Sequence, residues 1–310
     1  MITILTNLWP FTPTSVVRQR NALASWRAMC VDAQIITYQR VAGDSTILHD
    51  YGIEVASGLP PSVDGLPRVD AIFAIAQAKG KYERQVWVNA DIILMEDFLD
   101  TFLSLRLSHF VMIGQRTDVN LDTPLSFSGS VDSTAVRRRL SSAGRLHNIG
   151  GISYFAYTRG SMPPLPPLYL AAAWDNLVLY ECRKAGIPVI DATLDVQAFH
   201  QDHEYATTPE GGRLVYEGAA ARANVAQSRD RDELFYVTDA SHWLYRGKVR
   251  NSLCSPKHAW RQILTYPLLR RWATPFRWPL RATASLVRRL GSFWMSLCWD
   301  AERRRAARLR

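Results

Sequence analysis

The chain has 310 residues, 47% of them hydrophobic and 21% charged, enough for one large α/β domain or a domain with an appendage, and a composition that excludes a disordered or fibrous chain. Its four cysteines form no Cys-x-x-Cys pair and no metal-gathering spacing, so they read as reduced thiols. The net charge of +9 is unevenly placed: residues 255–310 hold 13 Lys and Arg against two acids, which leaves 24 basic and 26 acidic side chains in the first 254. In chain order, residues 2–7 form a short β-branched strand, and 15–29 carry helical apolar spacing at Val17, Leu23 and Trp26. A strand over 34–38 follows, then a helix over 68–78 closed by Gly80, and a strand over 85–88 that runs into Asn89-Ala90-Asp91. A helix over 95–107 and a buried strand over 110–114 come next. Residues 115–147 are polar and are expected to form loops and a short helix with few core residues. Order resumes with strand 149–157, a proline-forced extended connection, helix 174–185 ended by Gly186, strand 187–191, and an apolar run that delivers His200 and His203. Strands alternating with helices imply a mainly parallel sheet covered on both faces.

In such sheets ligands bind beyond the carboxyl ends of the strands, which singles out Asn89 and Asp91. In an extended segment both would point to one side, and the carboxylate could hold Mg²⁺ or Mn²⁺. An Asn-x-Asp after a strand also suits a turn or helix cap. Asp175 opens a helix, where an acid complements the macrodipole. His200 and His203 lie three residues apart after a strand, and either could ligate a metal while the other orients it. No HExxH or cysteine pair argues for zinc, and the sequence has no GxGxxG, no phosphate-loop motif and no G-x-S-x-G elbow.

Taken in order, Asn89-Ala90-Asp91, Asp175 and the late histidines resemble the GT-A type glycosyltransferases, the nucleotide-diphospho-sugar transferases, over residues 1–205. The resemblance implies the GT-A α/β fold and transfer of a sugar from a nucleotide-diphosphate donor to a hydroxyl of a glycan or glycolipid acceptor. It implies Mn²⁺ or Mg²⁺ held by Asp91 with His200 or His203, and Asp175 as base in an inverting reaction. Asn89 replaces the first acid of the family's D-x-D motif, and Ser153 stands where an acid would be expected. Thr6, Asn7, Arg18, Arg68 and Asn89 are the expected donor contacts, and Trp174 and Tyr154 the expected acceptor contacts. The rivals are a nucleotidyltransferase, although residues 6–14 lack its glycine-rich loop, and a non-catalytic scaffold.

The expected domain boundary lies between a catalytic unit, 1–254, and a basic helical tail, 255–310. The tail holds five of ten tryptophans and spaces Leu286, Leu290, Phe293, Trp294 and Leu297 as one helical face. That pattern suits an anionic membrane surface, or a helix packed on this domain or a second subunit; no RNA-binding motif accompanies it, so no nucleic-acid partner is expected. The first residues read as a strand rather than a signal peptide, and no apolar run reaches ~18 residues. The expected location is therefore the cytoplasm, with peripheral attachment to the inner face of the cell membrane.

Overall fold

In the computed structural model, the structure describes residues 1–13, 15–38, 45–127, 130–202, 211–228, 233–270 and 279. The elements, in order, are β1 (Thr3–Thr6), α1 (Ser15–Met29), β2 (Gln34–Thr37), α2 (Ser45–Asp50), β3 (Ile53–Val55), α3 (Val69–Lys79), β4 (Arg84–Val88), β5 (Ile92–Ile93), α4 (Glu96–Ser104), β6 (Val111–Ile113) and β7 (Arg116–Val119). They continue with α5 (Ser130–Ala143), β8 (Arg145–Leu146), β9 (Tyr154–Thr158), α6 (Trp174–Lys184), β10 (Val189–Asp191), β11 (Ala198–Gln201), α7 (Gly211–Glu217), α8 (Ala219–Gln227), β12 (His242–Tyr245), β13 (Lys248–Asn251) and α9 (Pro256–Leu269).

Among the described residues the strands form two sheets. Nine lie in the order β13-β12-β10-β6-β9-β4-β1-β2-β3. Their neighbours pair in parallel except around β9 and at β13, so the mainly parallel α/β sheet expected from the alternation is present. The two-residue period divides each central strand between two cores. Ile4, Val86, Val88 and Met112 face a layer with Trp26 of α1 and Phe98 and Phe102 of α4. Leu5, Trp87, Val111 and Phe155 face the opposite layer with Ile72 and Phe73 of α3 and Leu177–Cys182 of α6. Helices thus cover both faces.

The second sheet, in the order β5-β11-β7-β8, corrects the expectation for residues 115–147. That stretch supplies two strands and the 14-residue α5, with its own small core in which Val119, Leu121, Val136 and Leu140 meet Ile93, Met95 and Phe199. The strand signal in Arg116–Val119 is hidden because three of its four side chains are polar. The apolar run before His200 joins this sheet rather than the main one, and β9 starts only at Tyr154, residues 149–153 being a turn and a bridge between Ile152 and Gln115.

Residues 256–269, expected to belong to the tail, form α9 and lie on the body. Arg261 of α9 clamps the buried Asp239 at 2.8 and 2.7 Å, and Leu268 and Leu269 pack against the α6 core. Residues 271–278 and 280–310 of the tail, including its apolar face from Leu286 to Leu297, lie outside the described residues, as does His203. Among the described residues no helix is long and apolar enough to cross a membrane.

Candidate active site at the junction of the two sheets

The chain leaves the main sheet at the carboxyl end of β4 and enters the small sheet at β5. Residues 89–92 make that passage as a turn, the Ile92 N–H donating to the Asn89 carbonyl at 3.1 Å, while the Asn89 N–H donates to the Ser153 carbonyl at 3.3 Å. The extended Asn-x-Asp expected from the sequence is therefore replaced by a bend, because consecutive strands here belong to different sheets. Gln201 fixes the bend: its backbone N–H and its side-chain amide both donate to the Asp91 carbonyl, at 3.2 and 3.1 Å. The same amide reaches the Arg18 carbonyl of α1 at 2.9 Å, and Asn21 donates to Gln201 Oε1 at 2.9 Å.

This bracing sets the Asp91 carboxylate beside His200. Asp91 Oδ2 lies 3.2 Å from His200 Nε2, and both residues are 3% exposed. On the far side of the ring, His200 Nδ1 lies 3.2 Å from Asp118 Oδ1 and 3.5 Å from Asp202 Oδ1. Asp118, opposite His200 in the β7–β11 pairing, is also bonded by Arg116 Nε at 3.0 Å and His147 Nδ1 at 2.6 Å. Burial works against its charge, but the His147 hydrogen bond and the Arg116 guanidinium outweigh it and hold the carboxyl below its ordinary pKa. The cluster opens outward, from a 4% exposed His200 side chain through Asp118 at 10% to Asp202 at 52%.

These groups suit a divalent cation. Carboxylate oxygen and imidazole nitrogen are the donor set of Mn²⁺, and Mg²⁺ accepts the oxygens. Donor atoms of Asp118, His200 and Asp202 all lie within 4.8 Å of one another, and Asp91 approaches the other ring nitrogen. His200 therefore stands between two carboxylate groups. One can share a cation with it while the other orients the ring, the usual arrangement of a ligating histidine.

Asp175 reaches the same region from the start of α6. Ala173, before it, takes a left-handed φ of 71°, which turns the proline-rich connection into the helix. The Asn176 N–H donates to Asp175 Oδ1 at 3.0 Å. Burial pushes the Asp175 carboxyl up to about 6, against the opposing pull of that hydrogen bond and the Arg116 charge. Arg116 thus acts electrostatically on both Asp118 and Asp175. Trp174, half-buried, packs edge-on against Trp87 of β4 at 5.9 Å and against Phe155 at 5.6 Å, so its ring lies just below the β4 strand end.

The other expected residues fall into three groups. Thr6 and Asn7 end β1, next to Asn89 because Leu5 pairs with Trp87; Thr6 is fully buried and the Asn7 side chain hydrogen-bonds the Tyr38 hydroxyl. Arg18 holds Gln201 through its carbonyl, whereas Arg68, at the start of α3, directs two nitrogens to Asp70 at 3.0 and 2.6 Å. Tyr154 requires a correction: it is 1% exposed, packed edge-on against Phe98 at 5.3 Å, and its ring is core with no surface for an acceptor. Arg116, Asp118, His147 and Asp202 are not among the residues expected from the sequence. The readable signal was the alternation Arg116-x-Asp118, which places both side chains on one face of a strand.

No protein-family model matches this chain, and no curated protein matches it. Among solved structures it is similar to glucosyl-3-phosphoglycerate synthase from Mycobacterium tuberculosis in complex with Mn²⁺, uridine diphosphate and phosphoglyceric acid, at 14% identity over 73% of this chain and 76% of that one, with a TM-score of 0.42. It is also similar to S. aureus TarS 1-349, at 13% identity over 75% and 69% of the two chains, with a TM-score of 0.38. Similarity at this level is slight, and the functional reading rests on the residues of this chain.

Proposed function

We propose that this chain is a GT-A type glycosyltransferase that moves a sugar from a nucleotide-diphosphate donor to an acceptor hydroxyl on a glycan or glycolipid. The observation that carries the proposal is the pairing of Asp91, at the carboxyl end of a central strand, with His200 from the second sheet at 3.2 Å, while Asp118 on the other side of the ring is bonded by Arg116, which also acts on Asp175. Asp91 and His200 would hold Mn²⁺ or Mg²⁺, with Asp118 orienting the ring through Nδ1. When bound, the ion offsets the charge that builds on the departing diphosphate. Asn7 and Asn89, side by side at the ends of β1 and β4, suit the nucleoside end of the donor. Asp175, ionised above about pH 6, can take the proton of the attacking hydroxyl if the reaction inverts, and orients donor or acceptor if it retains. The half-buried Trp174 offers an aromatic edge to a sugar.

The basic residues after Arg270 are proposed to hold the enzyme on an anionic membrane surface, which predicts that the full chain floats with anionic liposomes and a 1–270 truncation does not. For the chemistry, titration calorimetry with Mn²⁺ and a panel of nucleoside diphosphates is the test. Binding that needs the metal and is lost in Asp91→Ala is expected; metal-independent binding, or binding unchanged in the variant, would sink the proposal.

A further inference from the structure

A chain of buried and part-buried hydrogen bonds joins α9, from the basic end of the sequence, to the candidate metal site. Lys257, in the first turn of α9 and 7% exposed, donates from Nζ to Gln115 Oε1 at 3.3 Å. The Gln115 amide donates to the His147 carbonyl at 2.9 Å, the His147 ring bonds Asp118 at 2.6 Å, and Asp118 faces His200 Nδ1 at 3.2 Å. A second strand of the same network holds the Gln115 backbone. Its N–H donates to Thr193 Oγ1 at 2.9 Å, Thr193 donates to Asp191 Oδ1 at 2.5 Å, and Asp191 Oδ2 meets His258 Nε2 of α9 at 3.0 Å. Gln115 is 3% exposed and sits one residue before Arg116, so both strands converge on the segment that presents Arg116 and Asp118.

We infer that α9 is part of the metal site, with Lys257 as a positioning residue that fixes Asp118, and through it the His200 ring, by way of Gln115 and His147. Burying a long cationic side chain is costly unless its charge and donors find partners, and this one is buried where its donor meets the site strand. Arg261, four residues further along α9, anchors the same helix to Asp239. The two cations of one helix therefore separate docking from positioning. The inference rests on the proposed metal-dependent function, but its first readout does not.

The experiment compares full-length wild type, Lys257→Met, Lys257→Arg and Arg261→Met by two measurements. The first is the nitrogen-15 imidazole spectrum without metal, in which Lys257→Met is expected to move the His147 and His200 ring signals while Arg261→Met leaves them in place. The second is Mn²⁺ affinity from the free-ion electron paramagnetic resonance signal, expected to weaken by about 10-fold in Lys257→Met, the lower end of the range for outer partners of a ligand. Lys257→Arg, which keeps a charged donor, is expected to restore most of both, and should Lys257→Met fail to fold, Lys257→Gln takes its place and is held to the same expectations. Ring signals unmoved in Lys257→Met, or moved equally by Arg261→Met, would overturn the inference. A wild type that binds no Mn²⁺ but shows the ring shifts would instead overturn the proposed function alone.

Discussion

Among the described residues two Asp–His clusters sit at strand ends, and they differ mainly in access. At the end of β10, His258 lies between Ser255 Oγ at 2.9 Å and Asp191 at 3.0 Å, all three at most 3% exposed, with Trp243 stacked on the imidazole at 6.4 Å. Its composition is that of a hydrolytic triad, yet the serine and the acid are on the wrong ring nitrogens for one, and no substrate can reach the serine. At the end of β4, His200 also lies between oxygens, but Asp202 opens that cluster to solvent, and Arg116, bonded to Asp118, also acts on the charge of Asp175. Similar side chains thus make a staple where the site is sealed and a candidate catalytic centre where it is open.

Breaking the staple should produce the largest effect on stability. His258→Ala leaves Asp191 charged and buried, and the loss of one partner of a buried pair costs about 3–5 kcal/mol; urea unfolding checks it. Breaking the open cluster should cost less stability, because His200 keeps Asp118 and Asp202 beside it, and should remove function. Asp91→Ala is expected to lower transfer by about 100-fold or more, since even outer partners of a metal ligand change affinity by about 10–100-fold. Asp175→Asn is expected to reduce kcat by about 10²–10⁴-fold, the usual worth of a general base, while Mn²⁺ affinity is unchanged. Because burial raises Asp175 to about 6, the rate of an inverting reaction should fall as pH drops below that value and level off above it. A profile flat through pH 6 would remove Asp175 as the base.

The smallest expected effect separates the clusters by acid. Burial opposes the Asp191 charge, but the His258 hydrogen bond, the His258 and Lys257 charges and Thr193 together hold its pKa below the ordinary value. The sign follows from linkage: a carboxyl depressed in the folded state stabilises the fold above its unfolded pKa and loses that contribution as pH falls through the folded one. Acid unfolding of wild type should therefore begin only below the ordinary carboxylate range, and His258→Gln should move its onset to higher pH.

The main sheet was legible because its strands alternate between two apolar layers: Leu5, Trp87 and Phe155 against one, Ile4, Val86 and Met112 against the other. Asp91, Asp175 and His200 were legible for a related reason, since each is a polar residue at the end of an apolar element. The small sheet was not, because β7 reads Arg-Thr-Asp-Val and its pairing with β11 joins residues about 80 positions apart, a contact that no local pattern announces. Tyr154, an acceptor contact implied by the resemblance, lies in the core, because the pleat that leaves Ser153 beside Asn89 turns its ring against Phe98. The α9 helix was obscured by composition. Its cations resemble those that follow, although Lys257 and Arg261 are committed to Gln115 and Asp239.

The central claim is that Asp91 and His200 jointly hold the divalent cation that binds the donor diphosphate. Electron spin echo measurements on the Mn²⁺-loaded protein with uridine diphosphate address it most directly. The account predicts a nitrogen coupling from one directly bound imidazole that disappears in His200→Ala, together with loss of the bound Mn²⁺ signal in Asp91→Ala. A nitrogen coupling that survives His200→Ala, or Mn²⁺ bound without any nitrogen coupling in the wild type, would contradict it.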